Sequence, residues 1–157
     1  MRLETTSDLN EQTLEKLQQL VRANIDSVEF LQEGAEKVED ITVAQLFRDM
    51  ASQRNGFADE LQQYVQWNGK DAEEEGTFIG SVRRTWFAFR TALNGGDATV
   101  VLIEAERAED AIKEAYEDVL IETAGSALND VLSRQYAVIK SGHDRVRDLR
   151  DAYKQRP

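Results

Sequence analysis

The only proline of the chain is its last residue, Pro157, so no earlier position carries the residue that most strongly interrupts a helix. Apolar side chains recur every three or four residues along four long stretches, as in Leu14, Leu17, Val21 and Val28 of the first stretch. This spacing is typical of helices that bury one face. The sequence therefore predicts four long helices, at about residues 8–38, 42–68, 97–123 and 126–154.

Helix-start signals support three of these boundaries. Asp8 and Glu11 form a capping-box pattern before the first helix. Asp40 or Thr42 can cap the second helix, and Asp97 can cap the third.

The connections between the helices predict how they are arranged. Tight turns at residues 39–41 and 124–126 would produce two hairpins, whereas residues 70–96 form a much longer connection with a shorter helix at about residues 77–93. Two hairpins joined by one long crossover are typical of a ferritin-like four-helix bundle. We therefore expect one all-α domain of this type over residues 1–157. The alternative is an open helical array in which the fifth helix is an equal partner.

The composition narrows the functional class. With 41% hydrophobic and 31% charged residues, the chain is typical of a globular protein. Its net charge of −11 argues against nucleic-acid binding, and the absence of cysteine excludes disulfides and thiolate sites. The start MRLETTSDLN lacks the features of a signal peptide, and no window is apolar enough to span a membrane. We therefore expect an acidic cytoplasmic protein.

Polar residues interrupt each long apolar stripe near its middle. If the four stripes face one another, these residues form one buried layer. The layer would consist of Asn24, Gln53, Arg54, Glu109 and Gln135. Because a buried arginine is costly unless it is paired, we expect an Arg54–Glu109 ion pair whose remaining hydrogen bonds go to Asn24 and Gln135. The alternative is that the faces are rotated and part of the layer lies at the surface.

A complete dimetal site cannot be assembled from this layer. Such a site takes one Glu from each of two helices and Glu-x-x-His from each of the other two. Here the first helix has Asn24 at the layer, the second has no histidine, and Lys140 precedes His143 by three positions. No cofactor is therefore expected, and His143, the only histidine, is interpreted as a structural residue at the edge of a stripe. The alternative is a single divalent ion, for which the candidate ligands are Glu106, Glu109, His143 and Asp144.

Four sequence blocks carry a resemblance to a known family. They are SQRNGFADEL (52–61), TWFAFRTALNGGD (85–97), EAERAEDAIKEAY (104–116) and GHDRVRDLRDAY (142–153). In their order and spacing the chain, from about Leu9 to Tyr153, resembles small uncharacterised bacterial proteins classed as a ferritin-like domain of unknown function. The resemblance implies a four-helix bundle and no established activity. Family members look similar around Arg54, Phe57, Glu60, Glu106, Glu109, Asp110, His143 and Asp144. Many carry a histidine just before the crossover tryptophan, where this chain has Arg83 and Arg84, so one further metal ligand is missing.

The crossover helix offers a candidate interface at Trp86, Phe87 and Arg90. An aromatic side chain among arginines is typical of an interface anchor, although Phe87 could equally pack against a neighbouring helix end. A homodimer is the commonest assembly for a small protein. Since no nucleophile motif or phosphate loop is present, we expect a non-enzymatic bundle that associates with itself or a protein partner. The alternative function is metal binding or redox chemistry at a reduced ferritin-like site.

Overall fold

The computed structural model describes residues 4–76 and 81–156, and for residues 81–83 it describes the backbone alone. Over these residues the protein is all-helical. The five α-helices are α1 (Glu11–Lys37), α2 (Ile41–Trp67), α3 (Ser81–Gly95), α4 (Ala98–Glu122) and α5 (Asn129–Lys154). The predicted all-α class is therefore confirmed. The start predicted for the crossover helix, about residue 77, lies outside the described residues. No helix in the described ranges is long and apolar enough to cross a membrane.

Side-chain caps explain where three helices begin. Asn10, and not Asp8, is the N-cap of α1, because its side chain accepts a hydrogen bond from the Thr13 N–H at 2.8 Å. The prediction for Asp8 was wrong: its backbone pairs with that of Thr5 in an isolated bridge before the helix. Asp40 caps α2 and Asp97 caps α4.

Neighbouring helices pair along the chain. The most extensive contacts are between α1 and α2 and between α4 and α5, which are joined by residues 38–40 and 123–128. Helix α3 packs against α4 and, to a smaller extent, against α1. At Gly125, in the second of these turns, φ is +83°, a left-handed conformation that glycine adopts without strain.

The interior consists of two apolar clusters. The Phe47 cluster includes Met50, Phe89, Leu102 and Val146. The second is the Leu61 cluster, which contains Leu17, Leu20, Leu61, Tyr116 and Leu132.

Buried polar residues separate the two clusters on every long helix. They are Asn24 on α1, Arg54 on α2, Glu109 on α4 and His143 on α5. Along the chain, α1 and α5 pass from the Leu61 cluster to the Phe47 cluster, whereas α2 and α4 pass the other way. The connection from α2 to α4 therefore spans the length of the molecule and leaves those two helices parallel.

Candidate functional site

A buried ion pair lies at the centre of the interior. Arg54 is 0% exposed and Glu109 is 2% exposed. The two guanidinium Nη atoms donate to the two carboxylate oxygens of Glu109 at 3.0 and 2.7 Å, and Nη1 also donates to Ser27 Oγ at 3.2 Å. A bidentate contact of this kind fixes the relative orientation of both side chains. It also ties α2 to α4 across the core.

Gly142 on α5 makes room for the arginine. A Cβ atom at this position would lie 2.8 Å from Arg54 Nη2 and 3.2 Å from Met50 Cε. Since contacts under about 3 Å between such atoms are repulsive, a larger residue would push the guanidinium away from Glu109. Gly142 could not be predicted from the sequence, because a glycine inside a helical pattern gives no direct sign of what it faces.

A second buried chain of hydrogen bonds lies beside the ion pair. Asn24 Nδ2 donates to the Tyr116 hydroxyl at 2.8 Å, which donates to Gln135 Oε1 at 2.7 Å. Gln135 Nε2 then donates to Glu60 Oε1 at 2.7 Å. The other oxygen of this carboxylate accepts a hydrogen bond from the exposed Arg134. Burial raises the pKa of Tyr116, so its hydroxyl stays a neutral donor. The chain of bonds links α1, α4, α5 and α2.

The structure corrects two details of the predicted layer. Asn24 and Gln135 are buried but bond to Tyr116 and not to the ion pair, contrary to expectation. Gln53 is exposed, so its assignment to the layer was wrong. The physical reason is helix geometry: successive residues point about 100° apart, and the inward direction is taken by Arg54.

The metal-ligand candidates lie in two separate groups. Glu109 is held by Arg54, whereas the other three candidates surround the α4–α5 contact. His143 is 7% exposed; its Nε2 lies 2.6 Å from Asp110 Oδ1 and 3.9 Å from Glu106 Oε1. Its Nδ1 lies 3.1 Å from Asp144 Oδ1. In the described part of the chain, no group of three or more histidine or acidic side chains is arranged to hold a metal ion.

The carboxylates near His143 already have partners. The hydrogen bond from His143, aided by the charges of Arg147 and Lys140, holds the pKa of Asp144 below its usual range despite desolvation. Glu106 forms an ion pair with Arg150. The arrangement is thus a charge network that fastens α4 to α5, and a metal ion would have to displace these partners.

A cleft of about 320 Å³ opens between α1 and α4. Its walls are mainly apolar and include Phe30, Phe89 and Ile112, and it reaches Glu109 and Ser27 at the ion pair. The alanines that α4 presents here, at positions 105, 108, 111 and 115, are too small to fill the space between the two helices.

Helix α3 is attached to α1 through aromatic and charged contacts. The Trp86 ring meets Phe30 edge to face, with centroids 4.1 Å apart, so this candidate interface residue packs inward. The Arg90 guanidinium lies 4.8 Å above the Trp86 ring and forms a 3.1 Å ion pair with Glu33. Desolvation raises the pKa of Glu33, but hydrogen bonds from Lys37 and Arg90 outweigh it and hold the pKa below its usual range.

Phe87 stands on the opposite, outer side of α3 and is 73% exposed. Arg84 and Arg90, three residues before and after it, are also exposed and lie on the same side of the helix. The outer face of α3, defined as Arg84, Phe87 and Arg90, therefore places a large aromatic ring between two arginines, of which Arg90 is paired with Glu33. Single exposed apolar residues are common on proteins, so it is the combination with the arginines that makes this face a candidate site.

The model for a domain of unknown function, DUF2383, matches residues 12–122, from the first turn of α1 to the end of α4. Helix α5, with Gln135 and His143, lies beyond the matched range. No curated protein and no solved structure matches the chain. Because the matched range covers more than half of its residues, the chain belongs to the family defined by this domain, DUF2383.

Proposed function

We propose that the protein is a ferritin-like four-helix bundle without enzymatic activity, which acts by associating with a second copy or with another protein. The direction of the helices supports the fold assignment. Two hairpins joined by a crossover that runs the length of the molecule are the arrangement of ferritin-like proteins. Here α2 and α4 run parallel to each other as a result, and α3 lies in the crossover.

The chemistry of the central layer supports a non-catalytic role. Oxygen ligands for iron or manganese have to be anionic and free to bind the ion. The carboxylate of Glu109 is neutralised by the bidentate contact with Arg54. The neighbouring buried groups, Asn24, Tyr116 and Gln135, are uncharged and bond to one another. The layer therefore supplies structural specificity in place of a metal site.

The exposure of Phe87 is the observation that carries the proposed association. Transfer of a phenylalanine side chain out of water is worth about 1.5–3 kcal/mol, and arginines beside an aromatic ring are enriched in the centre of protein interfaces. Covering the outer face of α3 would therefore contribute favourably to binding, whereas leaving it in water contributes nothing to the fold.

Analytical ultracentrifugation of the wild-type protein and the Phe87→Ser variant tests this proposal. We expect the wild-type protein to form a dimer and the substitution to weaken it by roughly tenfold or more, as is typical of a buried aromatic anchor. Ile121→Ser is the matched control, because Ile121 is 75% exposed against 73% for Phe87 and lies at the other end of α4 from α3. A wild-type protein that stays monomeric at high micromolar concentration, or equal effects of the two substitutions, would contradict self-association through Phe87.

The surroundings of His143 favour a second candidate function, metal binding or redox chemistry. Asp110 and Glu106 approach the same ring nitrogen, at 2.6 and 3.9 Å, and Asp144 lies on the other side of the ring. These are the residue types that bind a divalent transition metal. Binding would require Glu106 to leave Arg150, so this candidate ranks second.

A further inference from the structure

The two described parts of the crossover, residues 70–75 and α3, contact α1 at separate points along its length. Its first part, residues 70–75, is fastened near Gln18: the Gln18 side chain donates to Asp71 O at 2.8 Å and accepts from the Glu73 N–H at 2.9 Å. Its second part, α3, is fastened at Glu33 through Arg90. Because an α-helix rises about 1.5 Å per residue, these two anchor points on α1 lie roughly 22 Å apart.

The two parts of the crossover carry opposite charges. Residues 70–75, KDAEEE, contain four acidic residues and one lysine, a net charge of −3. Helix α3 contains three arginines and no acidic residue, a net charge of +3 within a chain whose total is −11. Glu74, Glu75 and Arg84 are exposed, and none of them has an ion-pair or hydrogen-bond partner among the described residues. The two parts together form a charged strip, which consists of residues 70–75 and the outer face of α3. Charges that could bind a partner are therefore available at both ends of this strip.

From this pattern we infer that two copies of the chain pair through antiparallel crossovers. The acidic segment 70–75 of each copy lies against the outer face of α3 of the other. Under a twofold axis the contact forms twice. Segment 70–75 of the first copy meets α3 of the second, and segment 70–75 of the second copy meets α3 of the first. This inference rests on the proposed self-association and adds the partner surface that meets Phe87.

The overall charge explains why a second copy needs such a strip. Two molecules of net charge −11 repel each other at most relative orientations. An antiparallel arrangement of the crossovers is one in which the nearest charges attract. Arginine beside an exposed aromatic ring would also fit an anionic membrane surface, but a membrane matches the basic helix alone, whereas a second copy matches the acidic segment as well. The observations therefore favour a second copy.

Charge-reversal variants of the full chain test the inference. One variant carries Arg84→Glu and the other carries Glu74→Lys with Glu75→Lys. Neither variant removes an ion pair or a side-chain hydrogen bond within the described residues of the chain. For each variant alone we expect the dissociation constant of the dimer to rise by about tenfold or more, because like charges would then face each other. An equimolar mixture of the two should form heterodimers with an affinity close to that of the wild-type protein. The measurement is sedimentation equilibrium, with one variant fluorescently labelled for the mixture.

Controls separate this inference from the proposed function. Arg48→Glu and Glu114→Lys reverse exposed charges on α2 and α4 and should leave dimerisation unchanged. If Phe87→Ser abolishes the dimer but the charge-reversal variants dimerise normally and show no preference for each other, the antiparallel pairing is wrong while association through Phe87 stands. A wild-type monomer overturns both. Wild-type protein that stays monomeric yet sediments with phosphatidylserine vesicles would assign the outer face of α3 to a membrane.

Discussion

At the scale of single residues, the ion pair between Arg54 and Glu109 removes two charges from water. The cost of that desolvation is offset only while both partners are present, because each alone would be an uncompensated charge in the interior. Arg54 Nε also has no hydrogen-bond partner among the described residues, which adds to the cost. We therefore expect the pair to contribute little net stability and to act mainly by fixing the position of α2 relative to α4.

Removing one partner should therefore be far more damaging than removing both. We expect Arg54→Leu to lower the free energy of unfolding by about 3–5 kcal/mol, measured by urea denaturation. The double variant Arg54→Leu, Glu109→Leu should recover most of this loss, because no charge is left buried. If the single variant unfolds at the same urea concentration as the wild-type protein, the buried pair does not exist in solution.

The sequence allowed part of this site to be predicted. Arg54 and Glu109 interrupt apolar stripes, so their positions alone indicated that they face the interior. The hydrogen bonds of Tyr116 could not be predicted, since its ring continues the apolar stripe of α4 and spacing does not reveal the partners of a hydroxyl. Gln53 was assigned to the layer because a gap in a stripe is located only to within one residue, which corresponds to about 100° of rotation around a helix.

At the scale of helices, Asp40 connects the start of α2 to the end of α5. Its carboxylate accepts a 3.0 Å hydrogen bond from the Val43 N–H as the N-cap, and a 2.8 Å bond from the Tyr153 hydroxyl. Desolvation raises the pKa of Asp40, but these two hydrogen bonds and the nearby Arg156 outweigh it and hold the pKa below the usual 3.8. One ionised carboxylate therefore holds two helix ends together.

The contact made by Asp40 should make the free energy of unfolding depend on pH. Because the pKa is lowered on folding, ionised Asp40 stabilises the fold above the unfolded-state value of 3.8, and this contribution is lost as the pH falls through the folded-state pKa. Asp40→Asn retains a cap acceptor but cannot ionise. We expect the variant to be less stable than the wild-type protein near neutral pH, and the difference to shrink as the pH falls to about 3. A difference in the urea midpoint that is constant with pH would contradict this role.

Local signals predicted most helix boundaries, and long-range contacts account for those that were missed. Asp40 and Asp97 were identified because a capping residue acts on its own turn. Asp8 and Asn10, two residues apart, are both suitable N-cap residues, so the local sequence does not distinguish them. The conformation of the segment before α1 depends on distant residues, since Asn68 Oδ1 accepts a 2.8 Å hydrogen bond from the Leu9 N–H. The attachment of α3 to α1 through Trp86 likewise depends on residues more than fifty positions apart, which spacing cannot reveal.

At the scale of the whole molecule, a bound metal would be visible as added stability. A ligand present at about a hundred times its Kd stabilises the folded state by about 2.7 kcal/mol, which for a chain of this size raises the Tm by roughly 5–10 °C. We expect untagged protein incubated with Fe²⁺ or Mn²⁺ to contain no stoichiometric metal and to show no such rise, because Glu106, Glu109 and Asp144 already have cationic partners. Elemental analysis and thermal melting provide the readouts. Stoichiometric metal that is lost in His143→Ala would replace the proposed function with the second candidate.

The division of the interior into two apolar clusters has a consequence for how this sequence can vary. Residues of the Phe47 cluster and the Leu61 cluster lie on opposite sides of the polar residues and form two separate packing groups. Energetic effects of substitutions that share no partners are generally additive. Each half can therefore drift in sequence independently of the other, whereas changes at Arg54, Glu109 or Gly142 are tolerated only in concert. Across relatives, we expect covariation to concentrate at that plane and to be weak between the two halves.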